Sequence, residues 1–526
     1  MKTVIGIILM GLFLSQTADA QETKAVNDNK IVVLGSSMAA GWVTSYEEKY
    51  DFKNGYAYRL QRYLADKGFT LLNKSVPGDD TKRALARFDE DVLSEMPEYL
   101  FIGLSMSNEG LETENPDSVM LWFETGIKKL IAKCENNGIK PILGSCYANN
   151  NFTPQQFDYL KKMNIRMNSW GYPMVNLLGA IDNGNGHFPE GLTFDPNHPM
   201  DRGHEEFFLA FTPDFFPAMD QGKIIPVSIP HESSIKLGTK AKTNKLHYYP
   251  ESLMHSFSYG FDFRYNRPGQ LAEIRTANDA VLLKTEANKL IYTGISGTIE
   301  SMELTKKTWY HIMITHRYSD HSTLLYLNGE LLGSLKEQLE PAAFILGGHQ
   351  KYCEFRDLMI YRSALNPNEL SQMQQQLFHA SLDCYAPLNN GSLDNFALSN
   401  SRILADPSDE PALFNNSVAN ISKAALARAN ELKVKHKEPI HMDPKEYLKF
   451  AGKYEIAKDD FFVIEVKADK IYLVDRGQST EILPEAPNKF YIHFPGELTI
   501  TFDRDEQGKM ILNANFNGYK MTAKKI

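Results

Sequence analysis

Three residues in this chain combine the side chains needed for nucleophilic acyl chemistry. Ser37 follows an apolar run that ends at Gly35, and Asp195 and His198 lie three residues apart in a proline-containing loop. A serine hydroxyl is a weak nucleophile at neutral pH and needs a base, which an imidazole held by a carboxylate supplies. The spacing therefore predicts a Ser37 nucleophile, a His198 base and an Asp195 that orients the imidazole, although Gly-Ser-Ser is also ordinary turn chemistry.

A second Asp-x-x-His pair, Asp201 and His204, follows within a few residues. The first pair is favoured because Pro196 and Pro199 hold it outside a helix. His204 falls where the last helix of this region has already begun. We therefore predict that Asp201 is an N-terminal helix residue stabilised by the helix dipole and that His204 is structural.

Two further positions are candidate donors to an oxyanion. Gly78 follows the second predicted strand, and the absence of a Cβ lets its backbone N–H approach a ligand closely. Asn108 follows the third predicted strand, and its amide can donate to developing negative charge. Each has a simpler alternative, a turn at Gly78 and a helix cap at Asn108.

The elements that must position these residues alternate between strand and helix up to about Lys223. Short apolar runs at residues 30–35, 70–73, 99–104 and 141–144 predict strands. Helical stretches, 56–67 and 118–136 among them, separate these strands, which predicts a parallel sheet covered on both faces. Ligands bind at the carboxyl ends of such strands, where the candidate residues lie.

Composition limits the function classes. The 526 residues are 43% hydrophobic and 23% charged, which is typical of a soluble globular protein of about three to four domains. The 56 Lys+Arg against 65 Asp+Glu give a formal net charge of −9. This balance argues against a nucleic-acid or anionic-membrane partner, since either requires a basic surface.

Residues 1–20 have the pattern of a signal peptide. Lys2 is followed by a short apolar run and by Ala18-Asp19-Ala20, which fits a small-x-small cleavage site. We expect an exported protein, periplasmic or extracellular, with no lipid anchor and no integral membrane segment. In that compartment Cys353 and Cys384 are a candidate disulfide, with four buried free thiols as the open alternative.

The chain divides into five predicted segments: the signal peptide (1–20), an α/β domain (21–223), an antiparallel β sandwich (224–385), a linker with one helix (386–440) and a small all-β domain (441–526). Asn328-Gly329 predicts a hairpin turn in the sandwich. Trp309, which opens a strand, is expected in the core, with a sugar platform of Trp309 and Tyr310 as the alternative. Asp262, Asn266 and Asp320 are candidates to contribute oxygens to a Ca²⁺ ion, although no dense acidic loop requires one.

Ser37, Gly78, Asn108 and Asp195 with His198 resemble, in that order, the four sequence blocks of the SGNH (GDSL-type) hydrolases, over about residues 30–220. The resemblance implies a flavodoxin-like three-layer fold, a Ser37, Asp195 and His198 triad, and an oxyanion hole formed by Ser37, Gly78 and Asn108. It implies no metal and no cofactor. The family's Gly-Asp-Ser is Gly-Ser-Ser here, and its Gly-x-Asn-Asp is Met106-Ser107-Asn108-Glu109.

The second domain resembles concanavalin-like and laminin-G-like jelly rolls through residues 308–312, 327–330 and 355–365. The last domain is similar, through Gly452-Lys453-Tyr454, to small β domains appended to exported bacterial serine hydrolases. Together these resemblances imply an exported serine esterase acting on O-acyl, chiefly O-acetyl, esters of a carbohydrate. The alternatives are a lipid ester or thioester hydrolase and an inactive, carbohydrate-binding protein. The oligomeric state stays undetermined.

Overall fold

The computed structural model describes residues 27–42, 44, 54–349, 351–373, 375–408, 439–457, 460–475, 478–492, 498–516 and 519–526. The predicted signal peptide and the predicted linker helix (422–437) lie outside these residues. Within them, no helix has both the length and the apolar character needed to cross a membrane.

The first domain is built on a five-stranded parallel sheet. Its strands are β1 (Asn27–Gly35), β2 (Thr70–Asn73), β3 (Pro97–Gly103), β4 (Lys140–Gly144) and β5 (Met174–Val175). They lie in the order β2-β1-β3-β4-β5, which is the flavodoxin-like order. Residues 31–34 of β1 are apolar and buried, as expected for a strand covered on both faces.

Helices cover both faces of this sheet. They are α1 (Ser37–Ala40), α2 (Tyr56–Ala65), α3 (Thr81–Ala86), α4 (Pro116–Glu135), α5 (Pro154–Asn168), α6 (Leu177–Ile181), α7 (Asp201–Leu209) and α8 (Phe215–Asp220), with a π-helical turn at Asp89–Leu93. A small hairpin of β6 (Thr193–Asp195) and β7 (His198–Pro199) precedes α7. This hairpin carries both members of the favoured Asp-x-x-His pair.

The second region is a large antiparallel β structure. Its strands are β8 (Ile235–Leu237), β9 (Lys245–Tyr248), β10 (Phe257–Tyr265), β11 (Gly269–Arg275), β12 (Ala280–Glu286), β13 (Lys289–Thr293), β14 (Thr298–Glu303), β15 (Thr308–Arg317), β16 (Ser322–Leu327), β17 (Glu330–Lys336), β18 (Ala343–Gly347), β19 (Cys353–Tyr361), β20 (Leu382–Ala386) and β21 (Ile403–Ala405), with helix α9 (Pro367–Gln372) after β19. One sheet has the order β17-β16-β15-β10-β19-β20, with β8 on β19. The other has the order β14-β13-β12-β11-β18-β9-β21. Apolar side chains of the two sheets share one core.

This β region extends past residue 385, where the sequence predicts a linker to begin. β21 pairs antiparallel with β9, with Ile403 opposite Tyr248. The segment rich in Asn and Ser therefore contributes an edge strand to the second sheet. Sequence patterning missed it because three residues are too few to show alternation.

Trp309 is not in the core, contrary to the prediction from the sequence. Residues alternate between the two faces of a strand, and Ile312 and Ile314 of β15 point into the sandwich core. Trp309 lies on the opposite face, where its ring stacks 4.2 Å from the Arg356 guanidinium. The Trp309 ring is therefore covered by the Arg356 guanidinium, through a cation–π contact, and not by the sandwich core.

The three candidate Ca²⁺ oxygens do not share one site. In the pairing of β10 with β15, Tyr265 lies opposite Thr308, and Phe257 lies opposite His316. Asn266 therefore follows one end of this strand pair, whereas Asp320 lies in the turn at the other end, about 27 Å away by strand rise.

The four cysteines are buried free thiols. Cys384 pairs in register with Ile360, and Cys353 lies seven residues earlier on β19. That offset separates the two thiols by about 23 Å along the strand, so the Cys353–Cys384 alternative is excluded.

The last domain is a nine-stranded antiparallel sheet preceded by a helical turn, α10 (Pro444–Tyr447). Its strands are β22 (Gly452–Ala457), β23 (Asp460–Lys467), β24 (Lys470–Asp475), β25 (Gln478–Glu481), β26 (Leu483–Ala486), β27 (Lys489–Tyr491), β28 (Leu498–Arg504), β29 (Met510–Phe516) and β30 (Tyr519–Lys525). β22 pairs with β30, and the two edge strands, β25 and β26, are separated by one residue. The sheet thus curls around its own apolar core.

The α/β domain and the first sheet of the sandwich are packed against each other through a shared core. Met313, Tyr326, Met359 and Tyr361 of the sandwich belong to the same buried apolar cluster as the α/β sheet. Backbone bonds cross the boundary as well: the Ala364 N–H donates to the Gly179 carbonyl at 2.8 Å. The sandwich therefore supports the domain that carries Ser37.

Leu365→Ala tests this shared core. Leu365 follows β19 and is fully buried in the common cluster, so we expect the substitution to lower the free energy of unfolding by about 2–5 kcal/mol. The matched control is Leu331→Ala, because Leu331 is 54% exposed and should change stability little. Urea unfolding followed by circular dichroism measures both. Equal effects of the two substitutions would contradict the shared core.

Candidate active site

The tip of β1 is shaped so that Ser37 can begin a helix at the carboxyl edge of the sheet. A Cβ on Gly35 would lie 2.6 Å from the Ala39 Cβ and 2.7 Å from the Gly103 carbonyl oxygen, so only glycine fits there. The chain then turns directly into α1, whose first residue is Ser37.

The structure brings Ser37, His198 and Asp195 together, although Ser37 and His198 are 161 residues apart in the sequence. The Ser37 Oγ lies 3.0 Å from the His198 Nε2. The His198 Nδ1 lies 2.9 Å from both carboxylate oxygens of Asp195. Because a carboxylate only accepts, Nδ1 carries the proton in the neutral imidazole, and Nε2 can then accept from the serine hydroxyl. The Trp42 ring flanks the imidazole, with ring centroids 6.3 Å apart.

The surroundings of the Asp195 carboxylate stabilise its ionised form. Its partial burial alone would raise its pKa, but hydrogen bonds and charge from His198, together with the backbone N–H groups of Asn197 and His198, outweigh burial and lower the pKa. The two N–H groups donate to Oδ1 at 2.7 and 2.9 Å. A negative charge is thereby held beside the imidazole where positive charge would develop.

The loops of Gly78 and Asn108 are joined to each other by two hydrogen bonds. The Asn108 Nδ2 donates to the Asp79 carbonyl at 2.9 Å, and the Thr81 N–H donates to Glu109 at 2.7 Å. Gly78 has φ +84°, a value that favours glycine. The first loop is tied to β1 by the Val76 N–H, which donates to the Gly35 carbonyl at 3.0 Å. Both loops thus follow strands that neighbour β1.

Three residues differ from the SGNH motifs, and the structure accommodates each of them locally. Ser36, in place of the usual Asp, shares a 3.1 Å hydrogen bond with the buried Tyr147 hydroxyl. Met106, in place of a glycine, is fully buried and is not among the residues with positive φ, so this loop does not require glycine there. Glu109, in place of Asp, is the acceptor that ties the two loops together.

Hydrogen bonds from the segment after β4 hold the loop between Asp195 and His198. Sequence analysis did not predict these bonds. The Asn150 N–H donates to the Pro196 carbonyl at 2.8 Å, and the Asn151 side chain donates to the Asn197 Oδ1 at 3.1 Å. Glu112 accepts from the Asn151 side chain at 3.0 Å. The signal was available, because three consecutive asparagines follow the fourth predicted strand, where the strand-end rule applies equally.

Asp201 and His204 lie in α7 and are fully buried. The His204 Nδ1 accepts from the Tyr56 N–H at 3.3 Å, and its ring stacks on Tyr56. Burial lowers the pKa of His204 to about 3. A neutral, packed imidazole of this kind is structural.

Most of the first domain is similar to a known protein family. The GDSL-like lipase/acylhydrolase family model matches residues 33–206. This α/β domain is SGNH-like. The family match, with the contacts of Ser37, supports a serine ester hydrolase.

An uncharacterized lipoprotein of Bacillus subtilis, YqeF, is 30% identical over 141 residues, which are 26% of this chain. The chain spans about half, 56%, of that relative's length. A GDSL-like lipase from Bacteroides thetaiotaomicron is 19% identical, with a TM-score of 0.28 over 37% of this chain and 89% of its own. A catalytic mutant of an acetylxylan esterase from Geobacillus stearothermophilus is 19% identical, with a TM-score of 0.28 over 36% of this chain and 94% of its own.

His204→Leu tests the structural role of the buried imidazole through pH. A free histidine has a pKa of about 6.5, so below that pH the unfolded chain binds a proton that the native state, at about 3, does not. The parent therefore loses stability as pH falls from 6.5 towards 3, by up to about 1.4 kcal/mol per pH unit from this residue. Urea unfolding at pH 5.5 and 4.5 should show a slope shallower by about that amount in the variant. Equal slopes of stability against pH in the parent and the variant would contradict a neutral, buried His204.

Proposed function

We propose that this protein is an exported serine ester hydrolase that removes short acyl groups, chiefly acetyl, from a carbohydrate. The observation that carries the proposal is the hydrogen-bonded line from the Ser37 Oγ through His198 to Asp195. A hydroxyl in this arrangement can pass its proton to the imidazole as it attacks a carbonyl.

The reaction is acyl transfer to water in two steps. The Ser37 Oγ bonds to the ester carbonyl carbon while its proton passes to the His198 Nε2. The bond to the alcohol then breaks, and the departing oxygen takes that proton from His198. Water attacks the acyl-Ser37 ester as His198 accepts its proton, and Ser37 leaves with this proton restored. The products are an alcohol and a carboxylic acid.

The negative charge on the tetrahedral intermediate needs preorganised donors. We assign these to the backbone N–H groups of Ser37 and Gly78 and to the side-chain amide of Asn108. The hydrogen bond from Asn108 to the Asp79 carbonyl supports the assignment, because it holds the amide beside the loop of Gly78.

The surroundings of the triad favour a polar substrate with a small acyl group. The rim beside His198 is built from asparagine and glutamate side chains, Asn151, Asn197 and Glu112. An apolar cavity of about 910 Å³, of the kind that would suit a long acyl chain, is lined by the start of β4, Lys140 to Ile142. It therefore lies at the amino ends of the strands, on the opposite edge of the sheet from Ser37.

The architecture of the second domain is the feature that supports a polymeric substrate. Two antiparallel sheets around one core are consistent with the concanavalin-like or laminin-G-like jelly roll suggested by the sequence. Such a domain would hold the enzyme near a glycan, which is an argument from fold analogy. Export rests on the signal-peptide pattern of residues 1–20 and on the name of the lipoprotein relative.

Ser37→Ala and His198→Ala should each lower kcat on a small acetyl ester by about 10⁴-fold or more, because either change removes proton transfer from the nucleophile. The matched control is Ser36→Ala, which deletes the neighbouring hydroxyl that bonds Tyr147 instead. It should keep kcat close to that of the parent. Steady-state kinetics with purified full-length proteins measures all three. If Ser37→Ala turned over as fast as the parent, the assignment of the nucleophile would fail.

Acetate release from acetylated xylan or pectin, compared with fatty-acid release from phospholipid, tests the substrate class. We expect acetate release to dominate, because the rim is polar and the apolar cavity lies at the other edge of the sheet. Faster fatty-acid release would favour the lipid-hydrolase alternative. Glycan binding without turnover of any ester would favour the inactive, binding-only alternative.

A further inference from the structure

A cluster of metal-ligating side chains lies on the outer face of the sandwich, outside the triad. His231 comes from the segment between the α/β domain and β8, Asp262 from β10 and Asp357 from β19. One ligand atom from each residue lies within 4.8 Å of the other two. All three line a cavity of about 350 Å³ that Met373 and Leu377 also border.

A β-bulge aims Asp357 into this cluster. In the pairing of β10 with β19, Asp262 lies opposite Arg356 but Gly260 lies opposite Met359, so two residues of β19 face one of β10. Asp357 is one of the two and has φ +52°, a left-handed value that is unusual for a residue other than glycine. The bulge turns the carboxylate to the cavity side.

The Asp357 carboxylate is only half satisfied. Its Oδ2 lies 3.0 Å from the His231 Nε2. Its Oδ1 is buried and, among the described residues, has no hydrogen-bond partner. An unpaired buried carboxylate oxygen is costly, and a bound cation would be a natural partner for it.

The second carboxylate is held in place by neighbours. The Asp262 Oδ2 accepts from the Arg356 Nε at 2.9 Å, and Oδ1 lies 2.8 Å from the His311 Nδ1. Hydrogen-bonding partners that orient a carboxylate in this way are typical of the shell around metal ligands. Arg356 offsets one of the two carboxylate charges, which leaves the other for a bound ion.

We propose that His231, Asp262 and Asp357 bind a divalent transition-metal ion of the Zn²⁺ type. One imidazole nitrogen and two carboxylates suit such an ion better than Ca²⁺ or Mg²⁺, which prefer oxygen ligands alone. Three protein ligands leave a coordination position open towards the cavity. The site is independent of the proposed hydrolase activity. It joins the interdomain segment, through His231, to two central strands of the sandwich.

Isothermal titration of the chelator-treated, full-length protein with Zn²⁺ tests the proposal. We expect the parent to bind one ion that His231→Gln and Asp357→Asn each weaken at least about tenfold. Two controls should retain this ion: Asp320→Asn, which changes a carboxylate of the same domain outside the cluster, and His198→Ala, which breaks the Asp195–His198 pair of the candidate active site.

Thermal unfolding separates loss of the ligand from loss of the fold. The His231 side chain is 32% exposed and a glutamine amide can still donate to Asp357, so His231→Gln should unfold at the same temperature as the metal-free parent. Zn²⁺ should raise the melting temperature of the parent and of both controls but not of the two cluster variants. Unchanged Zn²⁺ affinity in either cluster variant, loss of the ion in His198→Ala alone, or tighter binding of Ca²⁺ than Zn²⁺ by the parent would overturn the proposal.

Discussion

The carboxyl edge of the parallel sheet is the constraint on which the rest of the structure depends. Strands that run in the same direction deliver their following loops to one edge, so residues far apart in the sequence meet there. The contact between the Ser37 Oγ and the His198 Nε2 spans 161 residues and joins the tip of β1 to the separate β6–β7 hairpin. The proposed acyl transfer depends on this contact, because the hydroxyl needs the imidazole as its base.

Several parts of the chain serve to hold that contact. The glycine at position 35 lets β1 pass close to Gly103 before α1 begins. The asparagines after β4 bond the loop of the Asp–His pair from outside. The sandwich also contacts α7, the helix that directly follows the Asp195–His198 pair. The His255 Nδ1 of the sandwich lies 2.9 Å from Glu206 in this helix. A rigid frame matters because small displacements of a catalytic group carry large rate penalties.

The sequence allowed some of this to be predicted and not the rest, for physical reasons. Apolar runs predict the positions of β1 to β4 to within three residues, because buried parallel strands are nearly continuous runs of apolar residues. The Asn328-Gly329 hairpin followed from turn chemistry. Residue type predicts Trp309 in the core, but the alternation along β15 that puts Ile312 inside turns Trp309 to the opposite face. The shared core between domains depends on tertiary packing, which no local pattern encodes.

The metal cluster shows the same limit. Nothing in the spacing of His231, Asp262 and Asp357 links them, and Asp357 faces the cavity only because a bulge interrupts the register of β19.

For the catalytic proposal, the most direct measurement is the reaction of full-length protein with a fluorophosphonate, followed by peptide mass spectrometry. The account predicts stoichiometric attachment to Ser37 that is abolished by His198→Ala. Attachment to another serine, or none to the folded parent, would contradict it.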